Sequence, residues 1–370
     1  MSVENHSWAD AVDEVHGHAT TRARSPWDAL TVVSRVRGEG PRVIGPETVD
    51  LGTQLSAAPG ARRLRLPIVL SDDSQGQLSP QARLALLQAA SRTGCALRVP
   101  DPTPDIVELA TELGVALWAV VGPRRTASTV EAARGAAVVE LKLLDIGRNW
   151  ELLRQYDAFD QSGSLATMVA ALRQLGGGAP VFVDVGPAVD QATLGAAISS
   201  GAAGVLARAR SRASALQRSV AGPSPLAAVA AARRAVSRAK RPEGAPPPVV
   251  AVGGGFKDGV EVAKALALGA DMVLMATGPR IALGCGLCGT CGPGECSPGA
   301  APDGWRAMSD HLVSYIERVS REAAGALAQM GCASAGEASL EMLEARDYDT
   351  AATTGASLAG YGEPLPMWLH

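Results

Sequence analysis

Eight short apolar segments, separated by helical patterns, constrain the fold of this chain more than any other feature. Most are continuously apolar rather than alternating, which is typical of parallel strands buried on both faces. Pro67 is tolerated because it falls at the start of the first segment. The segments are Leu66–Leu70, Ala96–Val99, Ala116–Val121, Val138–Leu144, Val181–Val185, Ala203–Ala207, Val249–Val252 and Met272–Ala276.

Helical patterns lie between these segments. The predicted helices are Pro80–Ser91, Ile106–Leu113, Leu165–Leu175, Pro225–Arg238 and Val260–Leu268. Ser79 suits the N-cap of the first helix, with Pro80 at its first position. Eight strands alternating with helices, joined by right-handed crossovers, favour a closed (β/α)8 TIM barrel. A doubly wound open sheet is the alternative, because propensity alone does not decide closure.

We therefore divide the 370 residues into four parts. An N-terminal leader covers 1–62, the barrel covers 63–284, a cysteine-rich loop covers 285–300, and a helical extension covers 301–370. Within the extension, residues 303–331 have the pattern of a long amphipathic helix, and the Gly- and Pro-containing tail after Thr354 is expected to be irregular.

Composition excludes several classes of protein. The chain is 47% hydrophobic and 4% aromatic, which suits a packed α/β protein rather than disorder. Its net charge of −3 gives no electrostatic footprint for nucleic acid. No apolar run reaches the ~20 residues of a membrane helix, and the polar start lacks a signal-peptide pattern. We expect a cytoplasmic protein whose ligand is a small molecule rather than nucleic acid or a membrane.

Four of the six cysteines lie close together: Cys285, Cys288, Cys291 and Cys296. Such clustering predicts a metal site rather than a disulfide framework. The intervening glycines allow the chain to wrap sharply, and compact thiolate runs of this kind hold iron–sulfur clusters. A structural zinc site is the competing interpretation.

A glycine-rich motif, Gly253-Gly-Gly-Phe-Lys-Asp-Gly259, directly follows the seventh predicted strand. In these barrels the loops after strands seven and eight commonly bind phosphate, because glycine lets backbone N–H groups approach the anion. A simple tight turn is the alternative. The eighth strand ends at Met275-Ala276-Thr277-Gly278, so both loops are available and a phosphate-bearing ligand is predicted.

The stretch from Val252 to Cys285 resembles the flavin-phosphate and cluster segment of the FMN-binding domain of glutamate synthases. Weaker similarity to the short, stand-alone members of that family extends in patches over most of the chain, including Ser25–Leu30 and Ser71–Ala82. The resemblance implies FMN at the top of the barrel, with its phosphate on the amides of Gly254, Gly255, Ala276 and Thr277. It places Ser74 and Gly76 near the isoalloxazine ring.

The same resemblance assigns the cysteines. Cys285, Cys291 and Cys296 match the ligands of a [3Fe–4S] cluster, and Cys288 is an additional thiolate that would allow a [4Fe–4S] cluster. The family reduces 2-iminoglutarate with electrons passed from ferredoxin or NAD(P)H through the cluster to FMN. It therefore implies a ferredoxin or reductase partner and an amidotransferase-type subunit as ammonia source. An oligomer is also compatible with the sequence.

The chain differs from the family in the loops that are expected to surround the substrate. The loop after the fourth strand is reduced to Leu144–Asn149, where only the nearby Lys142 matches a family lysine. The glycine-rich flavin loop after the sixth strand is replaced by the arginine-rich Ala207–Ser214. Arg208, Arg210 and Arg212 either recognise phosphate or carboxylate or form a solvated loop edge. Lys142 either contacts cofactor or substrate or is satisfied by Glu140 or Asp184.

Asp184, like Asp72 and Asp73, lies at the carboxyl end of a predicted strand, where barrel catalysis takes place. We take Lys142 and Asp184 as the candidate catalytic residues. The prediction is a flavin- and iron–sulfur-dependent oxidoreductase acting on an imine, amino acid or 2-oxo acid-type substrate other than 2-iminoglutarate. The alternatives are a non-catalytic or electron-relay subunit on the same barrel and a zinc-stabilised barrel enzyme without flavin.

Overall fold

The computed structural model describes residues 25–34, 43–72, 78–121, 132–142, 164–186, 189–209, 223–241, 243–285, 304–361 and 363–368. Within these ranges eight parallel strands close into a barrel in chain order, because the last strand pairs with the first. The barrel strands are β4 (Ile68–Ser71), β5 (Ala96–Pro100), β6 (Ala116–Val121), β7 (Val138–Lys142), β8 (Val181–Gly186), β9 (Gly204–Arg208), β10 (Val249–Gly253) and β11 (Met272–Met275). The TIM barrel is confirmed and the open sheet is excluded.

The five helices predicted between the strands are present, together with further helices that were not predicted. They are α1 (Pro80–Thr93), α2 (Pro104–Glu112), α3 (Leu165–Leu175), α4 (Gln191–Ser199), α5 (Pro225–Arg238), α6 (Gly259–Leu268), α7 (Thr277–Ala282), α8 (Gly304–Gln329) and α9 (Tyr348–Thr354), and residues 132–135 are also helical. Ser79 caps α1 through the N–H of Ala82, so the predicted start of that helix is confirmed. None of the helices in the described ranges is both long and apolar enough to cross a membrane.

The barrel interior is filled by aromatic and aliphatic side chains. Trp118 and Phe182 lie with ring centroids 4.5 Å apart, and Gly204 is required beside them because a Cβ there would overlap the Phe182 ring. A short hairpin of β2 (Thr53–Gln54) and β3 (Arg63–Leu64) contributes Leu55 and Leu64 to the same buried cluster. Apolar packing therefore fills the barrel below its carboxyl end.

Residues from both ends of the described chain pack together outside the barrel. Strand β1 (Leu30–Val32) pairs antiparallel with β12 (Leu343–Ala345), which pairs in parallel with β13 (Ser357–Leu358). This three-stranded sheet was not predicted, and β13 lies in a tail that was expected to be irregular. Helix α8 confirms the predicted long helix. It packs closely on α6, because a Cβ at Gly259 would overlap the carbonyl oxygen of Val319.

Candidate active site

The glycine loop leaves β10 with backbone angles that favour glycine. Gly254 has a φ of 152° and Gly255 a φ of 66°. A Cβ on Gly254 would lie 2.6 Å from the Cβ of Ala209, and the Ala209 N–H donates to the carbonyl of Gly253 at 2.7 Å. Glycine at 254 is therefore required both by its conformation and by the close approach of the chain that follows β9.

The neighbouring loop after β11 has an exposed backbone of the same kind. Ala276 precedes α7, and no side chain caps this end of the helix. Gly254, Ala276 and Thr277 are half-buried and Gly255 is exposed. Two adjacent loops thus offer backbone without a covering side-chain cap, and backbone N–H groups in such loops are suitable donors to phosphate. These residues fit the phosphate of FMN by their donor chemistry and by the room that glycine leaves.

The N-terminal segment braces the glycine loop from outside. The ring of Trp27 packs on Phe256 at a centroid distance of 5.2 Å. Ser25 Oγ donates to Glu261 Oε1 at 2.5 Å, and the Lys257 N–H donates to Glu261 Oε2 at 2.9 Å. Burial, with the nearby charge of Asp258 adding to it, raises the pKa of Glu261 to about 7. One buried carboxyl group therefore ties the start of the described chain to the loop.

A second polar cluster occupies the carboxyl end of the barrel interior. The guanidinium of Arg98 donates to both oxygens of Glu140, each at 2.6 Å, and to Ser71 Oγ at 3.2 Å. Glu140 also accepts from Trp118 Nε1 at 2.7 Å. Arg98 and Glu140 have no solvent exposure, so this is a bidentate, fully desolvated ion pair. It forms the floor of the site.

Asp184 and Arg208 form a second ion pair above that floor. Arg208 Nη2 lies 2.7 Å from Asp184 Oδ2, and its Nε donates to Oδ1 at 3.2 Å. Asp184 is 1% exposed and also accepts from the Gly186 N–H at 2.7 Å. Burial raises the pKa of Asp184 to about 6, although the charge of Arg208 opposes the shift. Arg208 is therefore not a solvated loop edge.

Lys142 lies beside this pair. It ends β7 in register with Asp184 on β8, and strand alternation places it on the same face as Glu140. The candidate catalytic residues Lys142 and Asp184 are thus brought together at the carboxyl end of the barrel. Asp72, at the end of β4, is instead buried in an ion pair with Arg83 at 3.4 Å. Which of these residues are catalytic remains a prediction.

Several predicted site residues lie outside the described ranges. These are Asp73, Ser74, Gly76, Arg210, Arg212, Cys288, Cys291 and Cys296. Cys285 is described: it follows α7, is buried, and donates its N–H to the carbonyl of Arg280 at 2.9 Å. Among the described residues no three His, Cys, Asp or Glu side chains are grouped to hold a metal, and three of the four predicted ligands are not among those residues.

Neither the Arg98–Glu140–Trp118 cluster nor the Ser25–Glu261 contact was predicted from the sequence. A signal for the first was present, since Arg98 and Glu140 are opposite charges inside apolar strand segments, where an unpaired charge is costly. No local signal existed for the second, because Ser25 and Glu261 are 236 positions apart.

Comparison with known proteins supports the family assigned from the sequence. Residues 153–333 match the conserved region in glutamate synthase. The archaeal-type glutamate synthases [NADPH] of Thermotoga neapolitana and Thermotoga maritima are 48% identical over 52 residues, which is 14% of this chain and 10% of each relative. The resemblance to glutamate synthases is thereby confirmed, and the match spans only a small part of those relatives.

The fold is also similar to solved structures of mandelate oxidase. The structure with 3,3-difluoro-2-hydroxy-3-phenylpropionic acid has a TM-score of 0.57 at 19% identity, covering 90% of this chain and 97% of that one. The structure with (S)-2-phenylpropionate has a TM-score of 0.58 at 20% identity, covering 90% and 96%. At this identity the likeness establishes the barrel fold alone.

Proposed function

We propose that this chain, which carries the conserved glutamate synthase region, is a flavin- and iron–sulfur-dependent oxidoreductase. Its substrate is an imine, amino acid or 2-oxo acid-type compound other than 2-iminoglutarate. The observation that carries the proposal is the close approach of Gly254 to Ala209, in a loop whose sequence matches the family's flavin-phosphate segment. Because glycine has no side chain, the backbone N–H groups of this loop are not covered. They lie beside the loop after β11, where no side chain caps the start of α7.

Each part of the site has a role in this proposal. Gly254, Gly255, Ala276 and Thr277 would hold the phosphate of FMN, and Ser74 and Gly76 would lie near its ring. When bound, FMN supplies hydride chemistry that side chains do not possess. The four clustered cysteines, of which Cys285 follows α7, would hold a [3Fe–4S] or [4Fe–4S] cluster, and such a cluster would supply one-electron transfer.

The chain's own residues would bind and orient the substrate at the barrel mouth. Lys142 and Asp184 are in register at the carboxyl end of β7 and β8, so either can exchange a proton with a bound imine or oxo group. Asp184 suits this role because its raised pKa, about 6, lies near neutral pH. The Arg98–Glu140 pair below them excludes water from the floor of the site.

The proposed partners follow from the same chemistry. A ferredoxin or an NAD(P)H-dependent reductase would supply electrons, and an amidotransferase-type subunit would supply ammonia where the reaction needs it. The exposed face of α8 is available for an oligomer contact. The expected location is the cytoplasm.

A non-catalytic or electron-relay subunit is the second candidate. Arg208 favours it, because this arginine occupies the position where the family has a glycine-rich flavin loop. The two functions differ in flavin content. Protein purified without oxygen should show flavin absorbance with iron and sulfide if the enzyme proposal holds, and iron without flavin if the chain is a relay subunit. Zinc without either would contradict both.

A further inference from the structure

Tyr315 on α8 contacts both loops of the predicted phosphate site. Its hydroxyl donates to the carbonyl oxygen of Lys257 at 3.0 Å, two residues beyond Gly255. The same hydroxyl packs against Gly278, where a Cβ would overlap it, and Gly278 directly follows Thr277. The tyrosine side chain is buried, at 1% exposure. One buried hydroxyl therefore joins the glycine loop after β10 to the start of α7.

Helix α8 also holds the far end of the glycine loop. The N–H of Gly259 donates to Glu322 Oε2 at 2.9 Å. Arg318 connects this carboxylate to the tyrosine, because its Nη1 donates to Glu322 Oε1 at 3.0 Å and its Cζ lies 5.7 Å from the centroid of the Tyr315 ring. The three side chains are three and four residues apart, so they lie on one face of α8. We call Tyr315, Arg318 and Glu322 the α8 brace.

The glycine loop depends on such contacts for its shape. Gly254 and Gly255, with φ values of 152° and 66°, have no side chains, and the glycine backbone adopts many conformations at similar energy. Contacts at the ends of the loop therefore decide where its N–H groups point. The contact of Glu261 with the Lys257 N–H joins the loop to its own helix, α6. The α8 brace instead joins it to Gly278 in the neighbouring loop.

We propose that Tyr315 is a positioning residue for FMN, which sets the distance between the two phosphate loops so that N–H groups from both reach one phosphate. The proposal rests on the proposed function, because it takes these loops to bind the FMN phosphate. It gives the C-terminal extension a role in cofactor binding, since α8 supplies the hydroxyl. Without that hydroxyl, the loops of the free protein would populate several arrangements, and the affinity for FMN would fall with the fraction that is competent to bind.

The test compares FMN with riboflavin, which is the same flavin without the phosphate. Each is titrated into full-length protein freed of bound flavin, with flavin fluorescence as the signal. Wild type should bind FMN at least about tenfold more tightly than riboflavin, as charge-assisted hydrogen bonds to a phosphate imply. Tyr315→Phe keeps the ring, and so the packing of α8, but removes the hydroxyl. It should weaken FMN binding about threefold to tenfold, which corresponds to one neutral hydrogen bond, and leave riboflavin affinity unchanged.

Tyr348→Phe is the matched control, because it makes the same change on α9 at a side chain that is 57% exposed. It should leave both affinities unchanged.

Gly278→Ala tests the same contact from the other side. Its methyl group would overlap the Tyr315 hydroxyl, so FMN binding should weaken by about tenfold or more, as overpacking of a buried contact implies. The double variant Gly278→Ala, Tyr315→Phe should weaken FMN binding by less than the product of the two single fold-changes, because both changes disrupt one contact. Independent fold-changes that simply multiply would contradict a shared contact.

Three results separate failure of this assignment from failure of the proposed function. Tyr315→Phe with wild-type affinity for FMN would overturn the assignment and leave the flavin site intact. Equal weakening of FMN and riboflavin binding in Tyr315→Phe, with a lower unfolding temperature, would also overturn it, because the hydroxyl would then contribute to stability alone. Wild type that binds FMN no more tightly than riboflavin would contradict the phosphate site itself, and with it both the proposed function and the role of Tyr315.

Discussion

Replacing Glu140 by glutamine should destabilise the barrel more than replacing both members of its ion pair. Glu140→Gln leaves the guanidinium of Arg98 buried without its bidentate carboxylate. Removing one partner of a buried pair costs about 3–5 kcal/mol. Asp184 Oδ2, 3.8 Å from Arg98 Nη2, compensates for part of the charge, so we expect a value near the lower limit, about 3 kcal/mol.

The double variant Arg98→Met, Glu140→Gln removes the buried charge altogether. The glutamine oxygen still accepts from Trp118 Nε1, which donates to Glu140 at 2.7 Å in the native barrel. The remaining losses are the Ser71 contact and imperfect packing of methionine, together about 1–2 kcal/mol. The double variant should therefore be more stable than the single variant by roughly 1 kcal/mol or more.

Urea unfolding followed by tryptophan fluorescence measures both free energies. Arg63→Gln is the control, because its pair with Asp50 is exposed and such pairs contribute at most about 1 kcal/mol. A double variant as unstable as Glu140→Gln would refute the argument, since the cost would then come from packing rather than from a buried unpaired charge.

Three further predictions concern the loop and the cluster. The pKa of Glu261 is raised from 4.5 to about 7, so its neutral form favours the fold. The contribution of Glu261 to the free energy of unfolding is complete below pH 4.5, and about 3 kcal/mol of it is lost as the pH rises through 7. In wild type, the urea midpoint should therefore fall between pH 4.5 and 8, and Glu261→Gln should remove this pH dependence. An unchanged pH dependence in the variant would contradict the raised pKa. Gly254→Asp places bulk against Ala209 and charge beside the phosphate, so the purified variant should lack flavin; normal flavin content would disprove the site. Cys285→Ala and Cys291→Ala should each lower iron and sulfide content after anaerobic purification, and unchanged iron would exclude these thiolates as cluster ligands.

The barrel could be predicted from the sequence because its signal is local. Parallel strands buried on both faces read as continuous apolar runs, and all eight runs are strands in the structure. The bounds of α3 and α5 were predicted to the residue. Helix α4 was missed because its small residues, Gln191 to Ser199, form no distinct apolar stripe, although Asp190 caps it.

The sheet formed by β1, β12 and β13 could not be predicted in the same way. Its strands are two or three residues long, and Leu30 pairs with Ala345 across more than three hundred positions. Non-local pairing of short strands leaves no periodic pattern in either segment. The leader and the extension are therefore joined by contacts that only the folded chain reveals.

The candidate site was predictable in part, for a related reason. The glycine loop could be predicted because the positive φ at Gly254 favours glycine, and glycine is visible in the sequence. Arg208 was noticed as a charge, but its partner could not be identified. Whether it faces solvent or Asp184 depends on which strand lies next to β9 and on the direction of one side chain.

We expect this barrel to hold flavin together with a cysteine-bound iron–sulfur cluster. The most direct test is an absorbance spectrum, with flavin, iron and sulfide quantified, on protein purified without oxygen. The expected result is flavin peaks above a broad iron–sulfur shoulder, with roughly three or four iron atoms per chain. Colourless protein containing zinc, or iron without flavin, would contradict it.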